Sequence, residues 1–518
     1  MNQGRFLTRS ARYWPQRPAI LFHDRVITYR ELDERSSRLA NALIALGAQK
    51  GDRVLVQSFN RPELIEFECA MYKAGLVKVA LNARLSPEEM VESANSSQAK
   101  IMLAGPEHVA SVVQQAGRLT DIRTLVALEN GPQGFLDYEV LLAAASPVSP
   151  DVEMDAADLA VLHFTSGSTG KVKASMQTVG NRLASLRKVV MGRLRAKPGD
   201  VLALAGPVTH ASGMFIQPFL FQGGTILLHD RFDAEVFMAS VQKHRVTACF
   251  LVPTMINMIL AHPRLKEFDL SSLRDVTYGS APIAPSRIKE AWKAFGPVLS
   301  QGYGAGETTG GLVILTAEDH RIAIEEGREE LLLSCGRAFG ESRVRLVDDA
   351  GQEVPLGEVG EIVIQGPDVF AGYWREPEIT ADTLKNGWLH TGDLARMDEL
   401  GYLSIVDRKK EMIISGGFNV YPSEVELALY RHPAVYEVCV VGVPDATWGE
   451  AIKAVVVKRQ GHEVAADELV DHCRQFLADF KKPRSVDFVS ELPKNANGKL
   501  SRKELKERYW DGQARRVA

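Results

Sequence analysis

Seven consecutive residues, Thr165, Ser166, Gly167, Ser168, Thr169, Gly170 and Lys171, combine hydroxyls, glycines and a cation directly after the apolar run LAVLHF. Small residues let several backbone N–H groups and hydroxyls converge on phosphate oxygens, and Lys171 and Lys173 add positive charge. The chemistry of such a loop is to cradle a polyphosphate. The motor and GTPase form of that chemistry is excluded by spacing. GxxxxGK[ST] puts glycine at 165 and a hydroxyl at 172, where this chain has Thr165 and Val172. Serine hydrolysis is excluded as well, since no serine stands in a GxSxG frame. His210, in GPVTHASGM, is a second candidate. A histidine before small residues packs or caps more often than it catalyses, so its role depends on what surrounds it.

These residues need elements to hold them. Leu32, Leu39, Leu43 and Leu46 recur at helical spacing over 29–46, with Gly47 where a helix would stop. The runs DRVLVQSF, LVKVAL, AKIMLAG and RTLVAL read as strands, and ELIEFECAMYKAG as a helix between the first two. Helix and strand in alternation predict layered α/β sheets, largely parallel. After about Asp349, short strands broken by glycines (RVRLVDDAGQEV, GEVGEIVIQG, GWLHTGDLARMDELGYLSIVDR) predict a β-rich subdomain. Beyond Arg408 come a helix opened by a Ser423/Glu426 capping box, the strands YEVCVVGVP and AIKAVVVKR, a helix through ELVDHCRQFLADF, and a last helix opened by Ser501 and Glu504. The expected fold is therefore α/β, with a large N-terminal domain over 1–407 and a small α+β domain over 408–518.

A chain of 518 residues exceeds one ordinary core, and 45% hydrophobic against 24% charged residues excludes a disordered protein. The net charge of −4 excludes a broad basic surface for nucleic acid. Cys69, Cys249, Cys335, Cys439 and Cys473 are scattered, with no CxxC pair and no histidine spaced to complete a zinc site. That usage fits the reducing cytoplasm. No stretch approaches the roughly 20 apolar residues of a bilayer span, and Arg5, Arg9 and Arg12 have no apolar run behind them to make a secretory signal. Their basic face leaves peripheral contact with an anionic membrane open, beside the plainer reading of a solvated first helix. A homodimer is equally open.

Further along stand QGYGAGETT (301–309), NGWLHTGD (386–393), VDRKKEMIISGGFNVYPSEVE (406–426), VGVPDATWGE (441–450) and PKNANGKLSRKEL (493–505). In this order, and together with the loop at 165, the set closely resembles the adenylate-forming superfamily, which includes acyl-CoA synthetases, peptide-synthetase adenylation domains and firefly luciferase. The resemblance runs from about Tyr29 to Leu505 and is strongest to AMP-forming fatty-acyl-CoA synthetases. It implies a two-step reaction in which a carboxylate attacks the α-phosphorus of ATP, pyrophosphate leaves, and a thiol then takes the acyl group from the adenylate. Elementary chemistry agrees, because a carboxylate is a poor electrophile until its oxygen becomes a good leaving group.

The resemblance also implies roles. Thr165 to Lys173 would hold the β- and γ-phosphates, and Glu307 would bind Mg²⁺. Tyr303 would stack on adenine beside the turn Gly279, Ser280, Ala281 and Pro282, while Asp393 and Arg408 would hold the ribose. Lys499 would reach the α-phosphate and the acyl carboxylate. Lys410 would be the hinge of a mobile C-terminal lid, and Gly416 and Gly417 would line the channel for the pantetheine arm of CoA. His210 would border the acyl pocket.

Three positions depart from the family's pattern: Val172 stands for its proline, Ala174 for its glycine, and Gly306 for its threonine before the glutamate. GGFNVYPSEVE resembles fatty-acyl and aryl-CoA synthetases, which implies free CoA as acceptor, with a carrier protein as the alternative. The implied pocket segments 210–218, 279–283 and 301–306 are apolar or small and hold no Lys or Arg. The expected substrate is thus a monocarboxylic, largely apolar acid, fatty before aromatic or alicyclic. A non-catalytic nucleotide-binding protein on the same fold is the reading from another class.

Overall fold

The structure is a computed structural model of the chain and describes residues 2–150, 152–165, 173–445, 447–494 and 500–510. Contacts divide it into two compact units. One comprises Met1–Pro282, Arg287–Arg343 and Ile364–Leu389, the other Ile283–Ser286, Val344–Val363 and His390–Ala518.

Among the described residues, the first unit carries a seven-stranded sheet in the order Phe135–Asp137, Thr124–Ala127, Ile101–Ala104, Arg53–Gln57, Val77–Leu81, Leu159–Thr165, Lys173–Thr178. All neighbours run parallel except the last pair, where Thr165 lies opposite Lys173 in an antiparallel turn-back. Val54 and Val56 face one core and Leu55 faces another, so this strand is apolar on both sides, as a sheet covered by helices requires. The helix Tyr29–Ala45 opens with Thr28 accepting from the Glu31 N–H. The helix Pro62–Ala74 has proline at its start and Gly75 at φ 64° as its stop, and every residue in it is buried. Its buried charges are paired: Glu66 with Arg35 at 2.7 Å, Lys73 with Asp33 at 2.6 Å, and Glu68 with Lys78.

A second, nine-stranded sheet in the same unit runs Arg337–Ala338, Gly310–Leu315, Leu299–Ala305, Asp275–Gly279, Ala248–Leu251, Val201–Leu204, Thr225–Leu228, Pro18–Phe22, Arg25–Thr28. The α/β architecture expected from the alternating pattern is what forms. The basic N-terminal face is engaged within the fold: Arg5 pairs with Glu153 at 2.6 Å, and Arg9 stacks 3.8 Å from the Phe221 ring centroid. No helix among the described residues is long and apolar enough to cross a membrane.

In the second unit, the strands Val435–Asp445 and Gly449–Lys458 pair antiparallel, and Ser485–Phe488 adds in parallel beside the latter. Val438, Val440, Ile452, Ala454 and Val456 form their core with Val425, Leu429 and Leu469. The last helix, Arg502–Tyr509, begins as expected, with Ser501 accepting from the Glu504 N–H. The Ser423/Glu426 capping box does not form. Pro422–Tyr430 starts two residues earlier, with Tyr421 in place of Ser423 as N-cap and no side-chain cap. Ser423 donates instead to the Val406 carbonyl, and Glu426 is drawn to Arg502 and the Val440 N–H. A charged partner outcompetes a local N–H for that carboxylate.

Gly279 ends one strand opposite Gly302 of the next, so close that a Cβ at 279 would stand 2.3 Å from the Gly302 carbonyl oxygen. Gly279→Ala should therefore destabilise the protein by about 1–3 kcal/mol. Gly117→Ala, where a Cβ meets nothing within 4 Å, should be neutral. Thermal unfolding of the two variants checks this. Equal midpoints would show that the strands can part without loss.

Candidate active site

The expected phosphate loop, Ser166 to Val172, lies outside the described residues, as does Lys499. The flanks of the loop are described. Leu159–Thr165 and Lys173–Thr178 are antiparallel partners, so the loop is a hairpin connection. That frame differs from the strand-to-helix turn of a Walker loop, in agreement with the spacing argument. Ala174 is buried against the core, and its carbonyl accepts from the Trp374 N–H at 2.9 Å.

The outer edge of Lys173–Thr178 is covered by residues 371–374. Met176 exchanges backbone bonds with Ala371 and Gly372, and Ser175 bridges Tyr373. This pairing closes a sheet edge that would otherwise be open. It also places Tyr373 where its ring lies 5.6 Å from the Lys173 Nζ and its hydroxyl donates to Glu307 Oε1 at 2.8 Å. Burial, followed by the charge of Glu307, pushes the Tyr373 pKa well above its ordinary value, so the hydroxyl keeps the proton it donates.

Segment 366–374 is itself pinned. Asn181 donates to the carbonyls of Pro367 and Val369, both at 2.8 Å, and Thr309 donates to that of Asp368 at 2.8 Å. Lys188 forms a buried ion pair with Asp368.

Glu307 sits in the single 3₁₀ turn Gly306–Thr308, which joins the antiparallel strands Leu299–Ala305 and Gly310–Leu315. The turn is fixed by the Phe370 N–H on the Glu307 carbonyl at 2.8 Å and the Gln177 Nε2 on the Gly306 carbonyl at 2.9 Å. Thr308 Oγ1 adds a bond from the Ala305 N–H at 2.8 Å. Tyr303 lies on the same strand, next to Gly302. Since Gly302 pairs with Gly279, the turn Gly279, Ser280, Ala281 and Pro282 begins beside it. Ser280 adopts φ 70°, a left-handed conformation rare outside glycine.

His210 opens the segment Ala211–Phe215, and its Nδ1 lies 3.0 Å from Thr209 Oγ1. The His163 ring, two residues before Thr165, meets the His210 ring edge-to-face at 5.4 Å. Loss of solvent, with His210, Lys78 and Arg182 nearby, lowers the His163 pKa to about 3, so this ring is neutral at physiological pH. Met214 rests on Gly310, where a Cβ would come within 2.3 Å of its Cε. Phe215 and Ile216, by contrast, are buried in the core. Asn60 holds the approach to His210 by bonding Gly206, Val208 and His229.

In the second unit Asp393 and Arg408 face each other across paired strands, with Arg408 Nε 3.2 Å from Asp393 Oδ1. Lys410 is exposed in the turn that follows. Gly416 and Gly417 have φ 58° and 83°, as glycines in a tight turn do. A Cβ at 416 would strike the Trp448 ring at 2.5 Å, whereas one at 417 meets nothing within 4 Å.

Lys173, Glu307, Tyr303, the 279–282 turn and His210 all belong to the first unit, and the Asp393/Arg408 pair to the second. Tyr373, Gln177, His163 and Asn60 were not singled out from sequence. Each acts through a partner distant in the chain, Tyr373 through a residue 66 positions away.

Tyr373→Phe keeps the ring beside Lys173 and removes the donor to Glu307. A hydrogen bond to a charged group is worth about 1.5–3 kcal/mol, so acid-dependent pyrophosphate release should fall roughly ten- to hundredfold. An unchanged rate would mean that Glu307 needs no help from Tyr373.

Residues 7–374 match the family model "AMP-binding enzyme", and residues 424–499 match that of the AMP-binding enzyme C-terminal domain. A feruloyl-CoA synthase of an Amycolatopsis species is 40% identical over 509 residues, which cover 98% of this chain and 99% of that protein. A medium/long-chain-fatty-acid–CoA ligase of Mycobacterium tuberculosis is 34% identical over 533 residues, covering 100% of this chain and 91% of its own. Among solved structures, the amide bond synthetase McbA from Marinactinospora thermotolerans superposes with a TM-score of 0.89 at 30% identity, covering 98% of this chain and 100% of its own. The chain belongs to the AMP-binding enzyme family, the adenylate-forming superfamily, as an enzyme of its ATP-dependent acyl- and aryl-CoA ligase group.

Proposed function

We propose that this enzyme activates a monocarboxylic acid with a largely apolar body and transfers it to free CoA. The observation that carries the reading is the cluster of Lys173, Tyr373 and Glu307 at the foot of the 166–172 hairpin connection. It unites a cation and a carboxylate, the two charges that polyphosphate chemistry needs.

In the first step a carboxylate oxygen attacks the α-phosphorus of ATP, and the bond to the bridging oxygen breaks as pyrophosphate leaves. In the second, the CoA sulfur attacks the acyl carbon and AMP departs with the former carboxylate oxygen. Thr165 to Lys173 hold the phosphates, Lys499 offsets charge at the α-phosphate and acyl carboxylate, and Tyr303 stacks on adenine beside residues 279–282. Asp393 and Arg408 take the ribose, and His210 borders the acyl group.

Glu307 suits Mg²⁺, which takes one or two carboxylates and completes its shell with phosphate oxygens. Among the described residues no group of three or more His, Cys, Asp or Glu could cage a metal alone. Tyr373 donates to Oε1 of Glu307, and Oε2 would be the oxygen that takes the cation. When bound, the ion neutralises phosphate charge.

We further propose that residues 408–518 turn as a lid at Lys410 between the two steps, bringing Gly416 and Gly417 to the pantetheine arm. Asp407 precedes the hinge, yet its carboxylate takes the Ser423 N–H at 3.0 Å and lies 4.0 Å from Arg502, both beyond it.

For the acid, the 40% identical feruloyl-CoA synthase and the histidine pair His163/His210 favour an aromatic body over the fatty chain that the apolar segments suggested. An edge-to-face ring neighbour suits an aryl group better than a flexible chain. A panel of cinnamic, benzoic, medium-chain and long-chain fatty acids, read as CoA ester and AMP, tests both levels. Aryl acids should lead by at least about tenfold in kcat/KM. Fatty acids in the lead would reverse the choice of acid. AMP formation without any CoA ester would remove CoA as the acceptor.

A further inference from the structure

The turn carrying Glu307 has a glycine, Gly306, immediately before the carboxylate, and no side chain at 306 can anchor it. Its carbonyl is held from outside. Gln177, 4% exposed on the strand Lys173–Thr178, donates Nε2 to the Gly306 oxygen at 2.9 Å. The other end of the same amide faces Arg182, whose NH1 reaches Gln177 Oε1 at 3.4 Å. A guanidinium only donates, so it can meet only the oxygen of an amide. Arg182 therefore settles which way the Gln177 amide points and turns its N–H toward Gly306.

Glu68, 2% exposed and ion-paired with Lys78, adds a negative charge that favours the Arg182 guanidinium. The contacts run from Arg182 through Gln177 to the Gly306 carbonyl, one residue from Glu307.

We propose that Gln177 is a positioning residue for Glu307, oriented by Arg182, and that it sets how well the enzyme binds magnesium with ATP. The proposal rests on the reading of Glu307 as the carboxylate that takes the metal. Gln177 does not touch substrate. It fixes the register of the 3₁₀ turn, while Tyr373 and the Phe370 N–H fix the turn from its other sides.

The test uses Gln177→Glu, which keeps the shape and the acceptor toward Arg182 but cannot donate to Gly306, and Gln177→Met, which fills the same space without charge. ATP binding is followed by calorimetry at increasing magnesium, with pyrophosphate release measured in parallel. Both variants should need about five- to tenfold more magnesium for half-maximal ATP binding. Their ATP affinity without magnesium and their melting temperatures should stay near those of the parent. Combined with Glu307→Gln, neither should raise the magnesium requirement beyond that of Glu307→Gln alone, since the positioned group is already gone. Two outcomes overturn the proposal: an unchanged magnesium titration in either folded variant, or losses that simply add to those of Glu307→Gln. If Glu307→Gln alone leaves the titration unchanged, the metal reading of Glu307 fails, and the positioning role falls with it.

Discussion

The hydrogen bond from Tyr373 to Glu307 ties together three segments far apart in the chain. Glu307 comes from a 3₁₀ turn of the nine-stranded sheet, and Tyr373 from a segment laid along the edge of the seven-stranded sheet. Lys173, beside the tyrosine ring, begins the strand Lys173–Thr178. A short charge-assisted bond holds its partners to a narrow geometry, so the positions of both sheets within this unit enter the geometry of one carboxylate. The pinning of residues 366–374 by Asn181, Thr309 and Lys188 follows from the same need.

The carboxylate and the 279–282 turn are mounted on sheet strands, with backbones packed closely enough at Gly279 and Gly302 that a methyl group would collide. Glu68 and Lys78 form a buried ion pair, and the Arg182 guanidinium reaches the Gln177 amide oxygen. Such a group is costly to desolvate and is worth keeping when it orients something, here the Gln177 amide.

Much of this was legible in sequence. Period and punctuation gave the α/β layers: leucines at helical spacing over 29–46, apolar runs at 53–57, 77–81 and 101–104, and glycine stops. Motif spacing excluded a Walker loop, and the antiparallel return at Thr165 and Lys173 agrees. What sequence could not show was partnership across the chain. Ser423 and Glu426 satisfy the local capping pattern, but Val406 and Arg502 offer stronger partners that only folding brings near. Gln177 and Tyr373 follow no motif grammar of their own, and their meaning comes from Gly306 and Glu307, more than sixty residues away. His163, inside an apolar run, gives no sign in the sequence that its ring meets that of His210, whereas the apolar Phe215 and Ile216 are buried as their type suggests.

In the proposed reaction a carboxylate oxygen attacks the α-phosphorus of ATP, and isotope transfer reads that event without reference to any one residue. With an accepted acid labelled with ¹⁸O in both carboxylate oxygens, the reaction run with ATP and CoA should yield AMP carrying one labelled oxygen on phosphorus. The CoA ester should retain the other, and the pyrophosphate should carry none. Label in pyrophosphate or phosphate, or unlabelled AMP alongside labelled ester, would contradict acyl-adenylate formation at this site.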